Sequence, residues 1–288
     1  MRQYSKLKFM ETGKASKTAL GVAIRRAAHQ LMDHPPVLFD PIAVRLVGSA
    51  HPRKMERAMH RVARDFRAFM AVRSRYVEDQ LANAVAQGVC QYVVLGAGLD
   101  TFAYRNPFSS IEVFEVDFPA TQRWKREMLR MAEIALPGNL TFVPLDFEHR
   151  ALAEELAEAG FDARQPAFFG WLGVDPYLTL AAFRATLSTI AQLPEGSAVG
   201  FDYGLSPQSL SPVGRVAFDA LAARVAAAGE PFQLFFTPDT MESELRAAGF
   251  HSIEQLDYEQ LNQRYFNDRA DGLKLSPVKL AMLVTAWL

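Results

Sequence analysis

Three short stretches of the 288-residue chain carry residues whose types and spacing suit chemistry. The first is Gly96-Ala97-Gly98-Leu99-Asp100-Thr101, entered directly from an apolar run over 91–96. Glycines at 96 and 98 allow a sharp turn and let a ligand approach the backbone without meeting a Cβ. The second is Asp117, 19 residues beyond Gly98 and at the end of another apolar run. In a doubly wound sheet an acid at that point accepts hydrogen bonds from ribose hydroxyls. The third is Asp146-Phe147, a carboxylate and an aromatic ring closing a further run. A lone Gly-x-Gly is explained by a tight turn. The three together, at successive strand ends, point to an adenosine-containing ligand.

The residues around the turn favour one such ligand over another. A dinucleotide fingerprint would want glycine where Thr101 stands, and Asp100 beside the turn would repel a diphosphate. A nucleoside without phosphates fits better. S-adenosylmethionine is that ligand: its ammonium tolerates carboxylates such as Asp100, and its own carboxylate wants a cation.

These residues need elements to hold them. Strand candidates are 91–96, 111–117, 140–146, 167–174 and 197–203, with helix candidates at 120–135, 151–159, 179–192 and 208–228. Near-continuous apolar strands separated by helices mean βαβ units and a buried parallel sheet. A helix at about 238–248 and strands at 251–257 and 279–287 follow. The link between those last strands is too polar for a convincing crossover helix, so an antiparallel pair at the sheet edge is expected. Upstream, 16–32 has an N-cap candidate and small or apolar residues at helical spacing. Prolines 35, 36 and 41 then break the helix, and a basic, helix-favouring stretch covers 52–85. The expectation is an α/β fold, doubly wound and Rossmann-like, with a helical cap over 1–85 and a ligand-binding domain over 86–288.

Composition narrows the class. One cysteine, Cys90, excludes an intrachain disulfide and a multi-cysteine metal cage, and it reads as a small buried hydrophobe in a reducing, cytoplasmic setting. The six histidines show no HExxH or other short metal spacing, so no metal is expected. No apolar stretch is long enough to span a membrane, and the basic N-terminus lacks the apolar region of a secretory signal. Net charge is −1, yet residues 1–75 hold 16 Lys+Arg against 5 Asp+Glu, and residues 76–288 hold 15 against 27. No stacking aromatic pattern accompanies the basic residues at 53, 54, 57, 61, 64, 67, 73 and 75. They read as a solvated or internally paired helix face, not a nucleic-acid site. Oligomeric state is not legible.

The motifs together resemble a known family. VVLGAGLDTFAYR (93–105), FEVDFPATQRWK (114–125), VPLDF (143–147), WLGVDPYL (171–178) and FDY (201–203) look like the motif series of the leucine carboxyl methyltransferase family. HPPVLFDPIA (34–43) and AVRSRYVEDQL (71–81) match as well, so the resemblance covers most of the chain. It implies a class I S-adenosylmethionine-dependent methyltransferase. It also implies roles: Arg73 on the methionine carboxylate, Gly96 and Gly98 under the methionine, Asp117 on the ribose, Asp146 and Phe147 around the adenine. Leu172 would contact the cofactor through its backbone, and Tyr177 would face the substrate as the catalytic-side residue. Many relatives carry Glu where Leu172 stands, which removes a carboxylate from that position and counts against a protein C-terminal leucine as substrate.

Each role has a structural alternative. Asp117 would serve equally as a cap on the helix beginning near Pro119. Phe147 and Tyr177 would serve as core aromatics, and Arg73 as one more charge on a basic helix. Methyl transfer needs no general base when the acceptor is a carboxylate; a phenol or alcohol needs one, or a partner that lowers its pKa. Asp175, Tyr177, Tyr203 and Tyr104 are the candidates near the expected pocket. The preferred reading is O-methylation of a small-molecule acceptor. A non-catalytic cofactor-binding regulator and a nicotinamide-dependent oxidoreductase are the competing classes.

Overall fold

The computed structural model describes residues 16–47, 56, 64–147 and 149–288. The apolar runs become β1 (Gln91–Leu95), β2 (Glu112–Asp117), β3 (Leu140–Pro144), β4 (Ala167–Trp171) and β5 (Ala198–Gly204). Two later strands, β6 (Ser252–Leu256) and β7 (Ala281–Trp287), complete one sheet in the order β3-β2-β1-β4-β5-β7-β6. The first five strands are mutually parallel. β7 runs antiparallel to both β5 and β6, so the expected antiparallel pair is present, with β7 inserted as an interior strand. The run expected over 140–146 leaves the ladder at Pro144, on the edge strand, where a missing N–H is tolerated. The run over 167–174 leaves it at Trp171, before Gly173 turns the chain at φ +68°.

Alternate residues of each central strand feed opposite faces. Val93 and Leu95 join Phe114, Phe169, Trp171 and Phe201 in one core. Tyr92 and Val94 join Val113, Phe168 and Ala198 in another. Helices α1 (Lys17–Met32), α2 (Pro41–Val47) and α3 (Arg64–Ala86) come from the basic segment. The sheet domain adds α4 (Pro119–Met131), α5 (Leu152–Glu158), α6 (Leu180–Ile190), α7 (Pro212–Ala227), α8 (Pro238–Ala248) and α9 (Tyr258–Tyr265). Helices α5, α6 and α8 cover the first face through Leu156, Phe183, Leu187 and Leu245. α3 covers the second through Ala71, Val72, Tyr76 and Leu81. α1 and α2 pack with Leu99, Met128 and Leu129 in a third cluster, which sets α1 beside the glycine turn.

The polar link after β6 holds a short helix, α9, but no crossover helix, in keeping with the expected antiparallel pair. Asp257 caps it, Gln260 reaches back to the Asp257 N–H, and Tyr258 and Leu261 supply a buried face. Being only eight residues long, it returns the chain without crossing the sheet. At the other end, Ser16 caps α1 by accepting from Ala19 N, and α1 stops at Met32 before the proline pair. His29 holds the proline loop: Nδ1 lies 2.8 Å from Asp33 Oδ2, and Nε2 accepts from Val37 N at 2.8 Å. Much of the basic face proves internally paired, with Arg67 on Asp33 at 2.7 Å and Arg75 on Asp79 at 2.7 Å. Arg53, Lys54, Arg57 and Arg61 lie outside the described residues.

Candidate functional site

A cavity of about 520 Å³ opens at the carboxyl ends of the parallel strands. That is the expected place for a ligand in an open α/β sheet, where the strand order reverses beside β1. Its lining includes Arg73, Gly96, Gly98, Asp117, Asp146, Phe147, Leu172 and Tyr177, so the structure brings together every site residue expected from the sequence.

The glycine turn is tightly constrained. Gly96 and Gly98 sit at φ +62° and +47°. A Cβ on Gly96 would lie 2.2 Å from Val174 Cγ2, and one on Gly98 would lie 3.1 Å from Ala19 Cβ. The turn is therefore pressed between the loop after β4 and helix α1. Gly98 N donates to Asp117 Oδ2 at 2.5 Å, and Phe118 N donates to Oδ1 at 2.6 Å. Asp117 thus ties the first two strand ends together and also serves the start of α4. Burial pushes its carboxyl up to about 6, against the pull of those two N–H groups.

Asp100 departs from its expected part. It accepts from Arg26 Nη1 at 2.6 Å and from Phe102 N at 2.7 Å. Burial works against its charge, but Arg26 and then Lys125 outweigh burial and hold its pKa at about 2. A carboxylate neutralised by Arg26 repels a diphosphate less than the bare sequence suggests. Thr101 keeps its force as a departure from the dinucleotide pattern. Fully buried, its hydroxyl donates to Asp40 at 2.7 Å and accepts from Arg26 at 2.9 Å. The side chain is part of a network that glycine would not provide.

Arg73 reaches the cavity from α3. Its Nη1 donates to Asp202 Oδ2 at 2.9 Å, and Asp202 Oδ1 accepts from Gly173 N at 2.6 Å. A Cβ on Gly173 would lie 2.8 Å from Arg73 Nη1, so glycine makes room for the guanidinium. Arg73 Nε is buried with no partner. A buried donor left unmade is costly, and a ligand carboxylate beside the guanidinium would supply its missing acceptor. Asp202, at the end of β5, is the partner that sequence reading missed; its place in FDY at a strand end was the available signal.

Of the four candidates for a substrate-side group, Tyr177 lines the cavity and the other three do not. Tyr203 donates to Gln255 Oε1 at 2.5 Å inside the core. Tyr104 lies under the ammonium of Lys125, and its hydroxyl is buried without a partner. Asp175 is fully buried with neither oxygen hydrogen-bonded to another side chain, and burial, then the charge of Asp202, drives its pKa well up. Tyr177 is pushed up to about 12 by burial, so its phenol is protonated at neutral pH. Asp146 is bonded to His149 Nδ1 at 2.8 Å. Glu230, also on the wall, accepts from Thr18 Oγ1 at 2.5 Å and so links the loop after α7 to α1.

The cavity has a second half that no motif announced. Beyond Tyr177 its walls are Phe66, Phe69 and Met70 from α3, and Phe218, Phe232 and Phe235 from α7 and the loop after it. Phe218 meets Phe235 edge-on at 5.2 Å between centroids, and Phe232 lies 5.4 Å from Tyr177. These residues are scattered over 170 positions of sequence with no common spacing. Among the described residues no cluster of three or more His, Cys, Asp or Glu is arranged to hold a metal, and no helix is long and apolar enough to cross a membrane.

A mostly parallel seven-stranded sheet with an antiparallel β7, and a glycine turn and acids at its carboxyl edge, define the class I S-adenosylmethionine-dependent methyltransferase fold. The family model for leucine carboxyl methyltransferase matches residues 19–191. YktD of Bacillus subtilis, provisionally named an S-adenosyl-L-methionine-dependent methyltransferase, is 31% identical over 92% of this chain and 95% of its own. A Mycobacteroides abscessus protein with the same provisional description is 35% identical over 67% of this chain and 66% of its own. A solved DUF574-family protein from Streptomyces avermitilis shares the fold at a TM-score of 0.57 and 15% identity, covering 96% of this chain and 98% of that one. The chain belongs to the leucine carboxyl methyltransferase family, and with it to the S-adenosylmethionine-dependent methyltransferases.

Proposed function

We propose that this protein transfers the methyl group of S-adenosylmethionine to an oxygen, carboxylate or hydroxyl, of a small-molecule acceptor. The observation that carries the reading is one cavity lined both by the strand-end glycines and acids and by apolar and aromatic residues, Tyr177 among them. On this reading Arg73 holds the methionine carboxylate with its free Nε edge. Gly96 and Gly98 pass beneath the chain of the methionine, and Asp117 takes the ribose hydroxyls. Asp146 and Phe147 frame the adenine, while Leu172 lends its backbone. Bound there, the cofactor supplies a methyl group already activated on a sulfonium.

The protein's part is then alignment and exclusion of water, and orientation of this kind contributes about 7–11 kcal/mol. Tyr177, protonated at neutral pH, positions an acceptor oxygen by hydrogen bonding and does not take its proton. That favours a carboxylate, which is ionised without help, over an alcohol. Purified protein incubated with methyl-labelled cofactor and separate panels of acids, phenols and amines tests the reading. Transfer to acids or phenols is expected. Transfer confined to amines would overturn O-methylation.

A further inference from the structure

Two cations stand in the apolar half of the cavity without counter-ions. Arg25, on α1, and Arg224, on α7, both line it, and neither forms an ion pair among the described residues. Arg25 Nη1 donates to Gly21 O at 2.8 Å, its guanidinium lies 4.6 Å over the Phe66 ring, and its Nε is buried with no partner. Both line the same cavity, and burial, then the like charge of Arg224, lower the Arg25 pKa. The buried arginines Arg26, Arg67 and Arg73 are paired, with Asp40 and Asp100, with Asp33 and with Asp202, whereas Arg25 is half-buried and Arg224 exposed. Charges held away from water are ordinarily paired, because desolvation is expensive. Arg25, half-buried over an aromatic ring with its Nε unpartnered, and Arg224 at the exposed rim of the same cavity form an arrangement that an anion would complete.

Its position separates this site from the cofactor end. Ala19, which abuts Gly98, and Arg25 are six residues apart on one helix, about 9 Å along the axis. Phe66, under Arg25, and Arg73 are seven apart on α3, about 10 Å. We infer that the acceptor is an amphipathic anion: an apolar body of aromatic width lying among Phe66, Phe218, Phe232 and Phe235. Its anionic group is held by Arg25 and Arg224, about 10 Å along α3 from the Arg73 end of the cavity. This rests on the proposed methyl transfer for the identity of the far end, and adds a recognition element that transfer itself does not need. Phe66 is 36% exposed and Arg224 lies on the outer side, so the anion sits at the cavity mouth and the body enters first.

The test compares two fluorescent probes of similar apolar bulk, 8-anilinonaphthalene-1-sulfonate and neutral N-phenyl-1-naphthylamine, on the full chain with S-adenosylhomocysteine present. The sulfonate is expected to bind tighter by about tenfold or more, the worth of a charge-assisted contact. Arg25→Gln should abolish most of that preference, and Arg25→Lys should restore much of it. Arg224→Gln, an exposed change that spares the fold, should reduce it. Affinity for the neutral probe and for S-adenosylhomocysteine should not move. Equal binding of both probes by the unmodified protein, or an undiminished preference in Arg25→Gln and Arg224→Gln, would overturn the anion site. Failure of S-adenosylhomocysteine to bind any of the proteins would instead overturn the methyl-transfer reading, while the probe preference reports on Arg25 separately.

Discussion

Arg73 and Asp117 are tied into the fold and, on the proposed reading, also hold the cofactor. Arg73 is the buried partner of Asp202, lines the cavity, and has a buried Nε without a partner. Removing it leaves Asp202 buried and unpaired, which costs about 3–5 kcal/mol. Arg73→Ala should therefore lower the midpoint of thermal unfolding and weaken S-adenosylhomocysteine binding by about tenfold or more, read by calorimetry. Arg75→Ala, on the half-exposed side of the same helix, should change either by little, since an exposed pair is worth about 0–1 kcal/mol. Equal effects at both positions would make the basic face merely solvated charge. Asp117 predicts a pH dependence. Its carboxyl is raised to about 6, so its ionised form is disfavoured by burial, and this group's contribution to stability declines as pH rises from about 4 through 6. Ribose hydroxyls donating to the carboxylate favour the ionised form. Cofactor-product affinity should then fall as pH drops below about 6. Asp117→Asn should bind more weakly and lose that slope; an unchanged slope would remove Asp117 from the ribose site.

At the scale of elements, the site depends on the fit between the glycine turn and its two neighbours. α1 closes on Gly98 through Ala19, and the loop after β4 closes on Gly96 through Val174. Gly96→Ala combines an unfavourable left-handed φ, about 1–2 kcal/mol, with a clash of overpacking size, about 1–3 kcal/mol. Gly88 has a comparable positive φ of +97° but open space around it, so Gly88→Ala should show the backbone cost alone. Denaturant unfolding of the two variants, with Val174→Ala added to the first, separates the contributions. If Val174→Ala recovers nothing, the crowding at Gly96 is not what fixes the turn. Arg26 does a matching job from α1: by pairing with Asp40 and Asp100 and donating to Thr101, it ties the helix, the start of α2 and the turn into one buried network.

For the whole molecule, the charge asymmetry becomes an assembly device. Arginines from the basic segment meet acids of the sheet at its carboxyl edge, with Arg26 on Asp100 and Arg73 on Asp202. The near-neutral total conceals two parts that hold each other around the cavity. A ligand bridging α1, α3 and the strand ends should stabilise the whole chain. S-adenosylhomocysteine at about 100 times its dissociation constant adds about 2.7 kcal/mol and should raise the unfolding temperature by several degrees. NAD should not, because Thr101 and its hydrogen bonds occupy the place of the third glycine. A larger shift with NAD would overturn the cofactor assignment.

Local patterns alone determined much of this protein. Alternating apolar strands and helices dictated a parallel sheet, since strands buried on both faces must be apolar throughout. The glycine turn and the carboxylates at successive strand ends were legible as one edge, because parallel strands bring their carboxyl ends together. Polarity correctly excluded a crossover helix after β6, while the capping pair Asp257 and Gln260 starts the short α9 there. The tertiary structure alone decided the pairings of Arg73 with Asp202 and of Asp100 with Arg26, and it brought Phe66 into the same cavity as the aromatic residues of the α7 region. It also removed Tyr203, Tyr104 and Asp175 from the cavity wall, although they neighbour motif residues. The physical reason is the same in each case. Strand and helix periods are short-range properties of the chain, whereas the charge and shape of a cavity wall depend on which distant side chains packing brings to face it.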